Sequence, residues 1–387
     1  VGLEDRESLR VVQSALDGPG SGEIVHEFFT IWLARDQSVG ELFPSDLTHQ
    51  RATFTHAMRW LFGEFVDQRA EEPVAFLAQL GRDHRKFGVT ESQYTSLCQS
   101  FFLALRAGLG DRWNTAVDEA VTEALTLIAG AMSGAAAADR QPAWWDATVV
   151  ESPRVSRDIT VVRLQLDEPM PYQPGQYVSV EVPQRPRSWR YLSPAMPSDP
   201  GGCIEFHVRA VHRNSVSTAV VDETGPGDRW RLSSPHGSMR VDPHGGDVLM
   251  VAGSTGLAPL RALILDLMRL EEKPLVHLFF GARYPCELYD LPMLWQIANC
   301  SPWLFVTPVS EFPADPSWAA DYPDVQPPRG LHVRQIGRLD EVVSAYGGWT
   351  DRQILICGRP DMVRSTRAAL LAKGAPPERI QHDPLVG

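Results

Sequence analysis

The stretch LAQLGRDHRKFGVTESQY (residues 77–94) reads as the end of a helix followed by a turn, and it carries an imidazole on the face that should be buried. Phe76, Leu77, Leu80 and Phe87 recur at helical spacing, and His84 falls on the same stripe one turn beyond Leu80. Gln50 is set the same way, at the head of the stripe Phe54, Ala57, Met58 and Leu61. A lone histidine on an apolar face is more often a packed core residue than a ligand. Two polar side chains aimed at one core, with Phe43 of GELFP between the helices, imply something polar or coordinating between them. Burying either without a partner costs about 1–3 kcal/mol.

A second set of residues has the chemistry of anion binding. DVLMVAGSTGLAPLRALILDLM is a buried strand, a glycine turn and a helix with the stripe Leu260, Leu263, Ile264 and Leu267. In the turn, Gly253 and Gly256 flank Ser254 and Thr255 and let the backbone approach a ligand, and Leu257, Ala258 and Pro259 open the helix, whose free N–H groups suit a phosphate. Alone, such a turn is geometry. QILICGRPDMV supplies a second strand end at Cys357 and Gly358, and two ends facing one crevice suit a dinucleotide. In SWRYLSPAM, Arg190 can neutralise a diphosphate and Ser193 can hydrogen-bond a planar heterocycle. VHRNSVSTAV reads as another helix start, with Asn214, Ser215 and Ser217 as donors to a phosphate.

The elements that must position these groups fall into three regions. At 387 residues the chain should hold two or three domains. Residues 1–138 carry five helical patterns, from GEIVHEFFTIWLARD to WNTAVDEAVTEALTLIAGAM, and an alanine-rich linker follows. Residues 139–245 carry short β-type runs, the signature of an antiparallel β-barrel or sandwich. Residues 246–387 alternate strand and helix, which implies a mainly parallel α/β sheet. The formal charge of −12, with no basic stripe, argues against nucleic acid and anionic membrane as partners. No apolar run is read as a membrane span, and no signal pattern is seen at the N-terminus. Five scattered cysteines point to free thiols in a reducing compartment, so a cytoplasmic location is expected.

PGQY (174–177), RYLS (190–193), GSTGLAP (253–259) and CG (357–358) together resemble the ferredoxin–NADP reductase superfamily. That resemblance implies FAD on the barrel, with Tyr177, Arg190, Tyr191, Leu192 and Ser193 around it, and NAD(P)H on the last domain, with Cys357 near the nicotinamide. Haem b satisfies both polar side chains of the helical region, with His84 as axial iron ligand and Gln50 on the opposite side. The helical region resembles a bacterial globin, and the order of the three regions resembles flavohaemoglobins across essentially the whole chain. LGRDHRKFGVTESQY matches that family's proximal-histidine segment, with Tyr94 on the next helix. The resemblance implies electron flow from NAD(P)H through FAD to haem, with dioxygen and nitric oxide combining to nitrate.

The chain departs from the family pattern at several positions. Phe29 stands where a tyrosine usually holds bound dioxygen, and LTLIAGAMSGAAA offers no carboxylate to partner Tyr94. Asp83 replaces the usual lysine before the proximal histidine. RYLS puts Leu192 where the flavin-facing tyrosine is usual, so the flavin stacks on an aliphatic chain or reaches Tyr191 through a bulge. Ser254 replaces a glycine, and Leu385 stands where an aromatic usually covers the flavin. This combination resembles the divergent type II flavohaemoglobins of actinobacteria, which implies D-lactate or another small metabolite as an alternative electron donor. A haem-based redox or gas sensor is the third reading. VSEFP lacks the serine–arginine pair that often grips a 2′-phosphate, which tilts the nucleotide towards NADH; Arg283 could serve either.

Overall fold

Helical periodicity before residue 138 resolves, in the computed structural model, into six α-helices among the described residues: α1 (Arg6–Asp17), α2 (Ser21–Arg35), α3 (Thr48–Asp67), α4 (Glu71–His84), α5 (Glu91–Leu109) and α6 (Thr115–Ala138). The structure describes residues 6–43, 46–67, 71–211, 213–319, 328 and 331–383. Helix α1 was not among the expected five; it buries Leu9, Val12 and Leu16 completely. The alanine-rich segment expected to be linker is largely the last turns of α6. That helix is also long and apolar enough to cross a membrane, with a mean hydropathy of 1.4, contrary to the reading of the sequence. In the fold, Val117, Val121, Ala124, Leu125, Ile128 and Met132 of α6 are buried in the bundle core.

Two close crossings fix the bundle. A Cβ on Gly81 of α4 would lie 2.1 Å from the Met132 carbonyl oxygen of α6, and one on Gly108 of α5 would lie 2.5 Å from Ile24 of α2. Phe76, expected on the buried stripe of α4, is 39% exposed and meets Trp60 edge-on. The inward face of α4 is Leu77, Leu80 and Gly81, with His84 following. Helix α5 begins at a capping box: Thr90 N–H donates to Gln93 Oε1 at 2.9 Å, which fixes the helix start at Glu91, three residues before Tyr94.

Residues Val1–Trp144 and Trp145–Gly387 form two compact units. The second unit opens with seven antiparallel strands: β1 (Trp145–Glu151), β2 (Arg154–Ser156), β3 (Ile159–Leu166), β4 (Val178–Glu181), β5 (Trp189–Leu192), β6 (Cys203–Arg209) and β7 (Arg229–Leu232), with α7 (Val216–Asp222) before β7. They pair as β2-β3-β1-β7-β4-β5 with β6 on β3, and an isolated Pro194–Phe206 bridge brings the end of β5 to β6. Alternate residues such as Ala147, Val162, Val180, Phe206 and Trp230 fill the barrel.

The chain then winds a wholly parallel sheet of β8 (Val248–Gly253), β9 (Val276–Ala282), β10 (Leu304–Ser310), β11 (Gln335–Ile336), β12 (Gln353–Cys357) and β13 (Ile380–Gln381), ordered β11-β10-β9-β8-β12-β13. Four helices accompany it: α8 (Leu257–Leu267), α9 (Leu291–Asn299), α10 (Leu339–Tyr346) and α11 (Pro360–Ala372). GLHVRQIG shrinks to the two residues of β11, and β13 was not expected. The strand order reverses at β8, so a crevice opens where β8 and β12 end side by side.

Candidate functional site

In the helical unit, α2, α3, α4 and α5 bring polar atoms into an aromatic interior. Phe28 stacks on Phe54 at 4.5 Å between ring centroids, and Phe29 meets Phe43 and Phe54 edge-on at 5.9 Å each. Within this interior Gln50 Oε1, His84 Nδ1, Tyr94 Oη and Trp32 Nε1 are enclosed and have no hydrogen-bond partner among the described residues. The His84 and Tyr94 rings lie 6.2 Å apart. Burial, and then the nearby Lys86 ammonium, hold His84 down to about 4, so it is a neutral imidazole at neutral pH. Burial pushes Tyr94 up to about 12.

Four orphaned polar atoms in an apolar bundle are costly unless a ligand satisfies them. Neutral imidazole is the iron-binding form of histidine, and haem fits this donor set: His84 would hold the iron and Gln50 would present an amide. Phe29 is 2% exposed and offers no donor. The Tyr94 hydroxyl has no carboxylate partner among the described residues.

On the barrel, β5 pairs with β4 in unbroken register: Leu192 faces Val178, Tyr191 faces Ser179 and Arg190 faces Val180. There is no bulge to bring Tyr191 round to the Leu192 side. Instead Tyr191, 46% exposed, meets Tyr177 edge-on at 5.2 Å, and His236 lies 5.8 Å beyond Tyr177. The aromatic pair at this strand end is therefore half-buried Tyr177 with exposed Tyr191. Arg190 is exposed and Ser193 half-buried at the same strand end. Gly237, at φ +90°, allows the approach: a Cβ there would lie 3.0 Å from the Tyr177 ring. The aromatic pair fits a flavin ring, and the Arg190 guanidinium, on the other face of β5 and without an ion pair among the described residues, fits a diphosphate.

At the expected second helix start, Asn214 adopts φ +59° and Ser215 caps α7 by accepting from the Thr218 N–H at 3.2 Å. Ser217 is buried and bonded to the Ser215 hydroxyl at 2.9 Å, so its oxygen serves the turn itself. Of the three expected donors, Asn214 is the exposed one.

The nucleotide turn is built by contact between the two strand ends. A Cβ on Gly256 would fall 2.3 Å from the Cys357 carbonyl oxygen, and Gly253 and Gly358 pack back to back under Met362. Ser254 adopts φ +54°, a conformation that favours the glycine it replaces, and its hydroxyl accepts from Arg209 Nη1 at 3.0 Å. Thr255 is half-buried on the turn. Leu257 and Ala258, expected at the ligand, have side chains buried in the core. The Leu257 N–H bonds back to Ser254, and Pro259 has no N–H, so these three shape the helix start. Cys357 is buried, its thiol 3.4 Å from Met239 Sδ, and burial and then Asp383 push that thiol well up. Leu385 lies outside the described residues.

Two features escaped the reading of the sequence, and a third group, Arg283, is read there as able to serve either nucleotide. VSEFP does carry a serine–arginine pair: Arg334 Nη1, distant in sequence, donates to Ser310 Oγ at 2.6 Å. Arg283 is exposed over the rings of Tyr284 and Phe312 at 5.4 and 5.6 Å. Finally, Glu205, His207 and Arg209 alternate along β6 and are enclosed or half-enclosed by groups from α8 and from the segment leading into α9. Their period-two spacing was a visible signal, but such a stripe ordinarily faces water.

Residues 26–132 match the family described as Globin, 146–241 the oxidoreductase FAD-binding domain and 250–368 the oxidoreductase NAD-binding domain. The chain is 30% identical to the reductase subunit of an aromatic O-demethylase from an Amycolatopsis species, over 61% of this chain and 68% of that one. It is 29% identical to the phenol hydroxylase P5 protein of Acinetobacter pittii, over 59% of this chain, and spans 61% of the length of that relative. Among solved structures, a flavohemoglobin from Malassezia yamatoensis with bound FAD and heme is similar over 99% of both chains, with a TM-score of 0.77 at 17% identity. The ferredoxin reductase of carbazole 1,9a-dioxygenase is similar over 64% of this chain and 71% of its own, with a TM-score of 0.53 at 26% identity.

Proposed function

The chain belongs to the FAD- and NAD-binding oxidoreductases, joined here to a globin domain in the flavohaemoglobin order, and from that premise we propose that it passes electrons from NAD(P)H through FAD to haem b. The observation that carries this reading is the enclosed, neutral and unpartnered imidazole of His84 in the same chain as a built nucleotide turn. Bound haem would supply a one-electron centre that takes dioxygen and nitric oxide, with nitrate as the product. Around it, Gln50 contributes the polar contact, Phe29 excludes water without donating, and Tyr94 packs beside His84. On the reductase, Arg190 neutralises diphosphate charge, Tyr177 and Tyr191 flank the flavin, and the start of α8 receives the nucleotide diphosphate.

Nitric oxide dioxygenation is the reaction we assign first, slowed by the absence of a donor at Phe29. The pairing of Ser310 with Arg334 removes the sequence argument for NADH, so either nicotinamide nucleotide is a candidate. A second reading has a small metabolite such as D-lactate reduce the flavin. The Ser254 side chain standing in the nucleotide turn favours it. All five cysteines are free thiols, which accords with a reducing, cytoplasmic location.

The test is anaerobic stopped-flow reduction of the purified holoprotein by NADH, NADPH and D-lactate, with aerobic nitric oxide consumption and nitrate yield measured in parallel. Rapid flavin bleaching by a nucleotide, followed by haem reduction, supports the first reading; bleaching by D-lactate alone supports the second. If no donor bleaches the flavin while haem still binds ligands tightly, the chain is a sensor rather than a turnover enzyme.

A further inference from the structure

Between barrel and parallel sheet, one buried guanidinium of the nucleotide helix α8 touches the segment that follows β5. Arg261, five residues beyond Gly256 in α8, is 8% exposed. Its Nη1 donates to the Ala195 carbonyl at 2.6 Å and lies 2.9 Å from Glu205 Oε1, and its Nε donates to Met293 Sδ at 3.1 Å and lies 3.0 Å from Asp290 Oδ2. Ala195 lies two residues beyond Ser193, and its own N–H donates to the Glu205 carbonyl at 2.8 Å. Glu205 is in turn held by His207 Nε2 at 3.1 Å and Arg163 Nε at 2.5 Å, and His207 Nδ1 meets Tyr289 Oη at 2.8 Å. Burial works to raise Glu205, but His207, Arg261 and Arg163 outweigh it and hold the carboxyl down at about 2.

A buried ion-pair network of this kind is a poor device for stability, because apolar residues of similar volume commonly do as well. Its distinctive property is geometric: a planar fork with fixed donor directions defines where its partners sit. The partners here are the segment that follows the flavin-facing strand and the helix that opens at the nucleotide turn.

We propose that Arg261 is a positioning residue for hydride transfer, setting the nicotinamide against the flavin by tying α8 to the chain just beyond Ser193. The inference rests on the nucleotide-to-FAD step proposed above. In that step the hydride leaves the nicotinamide C4, whose C–H bond breaks and whose ring is oxidised to NAD(P)+, and joins flavin N5 as a new N–H bond, reducing FAD. Displacing donor and acceptor by about 1 Å is enough to slow such a step on the order of 100-fold.

The experiment compares full-length holoprotein with Arg261→Met, Arg261→Lys and Glu205→Gln, the last two keeping the site polar should the methionine variant fold poorly. Single-turnover flavin reduction is followed against nucleotide concentration. Hydrogen–deuterium exchange is followed at residues 189–197. The expected result is a limiting reduction rate about 10-fold or more lower in Arg261→Met, partly recovered in Arg261→Lys, with half-saturation within about twofold and FAD content unchanged. Amides of residues 189–197 should exchange faster in every variant. A limiting rate within about twofold of wild type in FAD-loaded variants overturns the proposal, as does a shift confined to half-saturation. If no nucleotide reduces wild-type flavin, the donor reading above fails on its own account; the exchange arm then decides, and unchanged exchange at 189–197 overturns the tie itself.

Discussion

Single side chains set the chemistry at two places. Phe29 is packed among Phe43, Phe54 and Trp32 and cannot donate a hydrogen bond to a haem ligand. Phe29→Tyr adds one donor, and a net hydrogen bond of about 1.4 kcal/mol corresponds to a tenfold equilibrium change. Dioxygen dissociation measured by flash photolysis or stopped flow should slow about 10-fold; an unchanged rate would mean that position 29 does not face the ligand. Asp383 is the second case. Burial, opposed by His382, lifts its carboxyl from 3.8 to about 6, so ionisation opposes folding. That penalty is absent below pH 4, accrues between pH 4 and 6 and is complete above pH 6. Asp383→Asn should therefore stabilise the reductase unit by about 1–3 kcal/mol at pH 7 and make no difference near pH 4. Denaturation midpoints at the two pH values check both the size and the sign.

At the scale of elements, glycines govern which surfaces meet. The contact of α4 with α6 at Gly81 leaves no room for a methyl group against the Met132 backbone. Gly81→Ala should force α4 away, at more than about 2 kcal/mol, and because His84 lies at the end of the same helix it should also weaken haem retention. Loss of Soret absorbance on competition with apomyoglobin measures that. A variant with wild-type retention and unchanged melting would show that the crossing relaxes freely. Much of this scale was legible. The five expected helices and the principal strands follow apolar periods of 3.6 and 2 that their residues carry locally. Helix α1 was missed although Leu9, Val12 and Leu16 have helical spacing, and β11 and β13 were misjudged because two-residue strands carry no period.

Across the whole molecule, the contacts separate residues 1–144 from 145–387, while barrel and parallel sheet share one unit. Scanning calorimetry of the full-length holoprotein should show two transitions, one following the Soret band and one following flavin fluorescence. A single transition seen by both probes would mean that the two units unfold together. The polar face of β6 supplies a reason for barrel and sheet to melt as one: Arg209 alone bonds Asp158, Ser254 and Glu287, drawn from a barrel turn, the nucleotide turn and the start of the segment leading to α9.

The order of regions, the glycine turn, the paired strand ends and the misplaced polarity of Gln50 and His84 are properties of local sequence, because each is written in residue type and spacing within one or two turns or strands. The meaning of Glu205, His207 and Arg261, and the meeting of Ser310 with Arg334, is not. A charged residue alternating along a strand reads as solvent-facing until another element covers it, and whether one does depends on contacts between residues tens of positions apart. Tertiary packing alone decided that this stripe is interior, since burial is a property of the assembled surfaces and not of the strand that carries it.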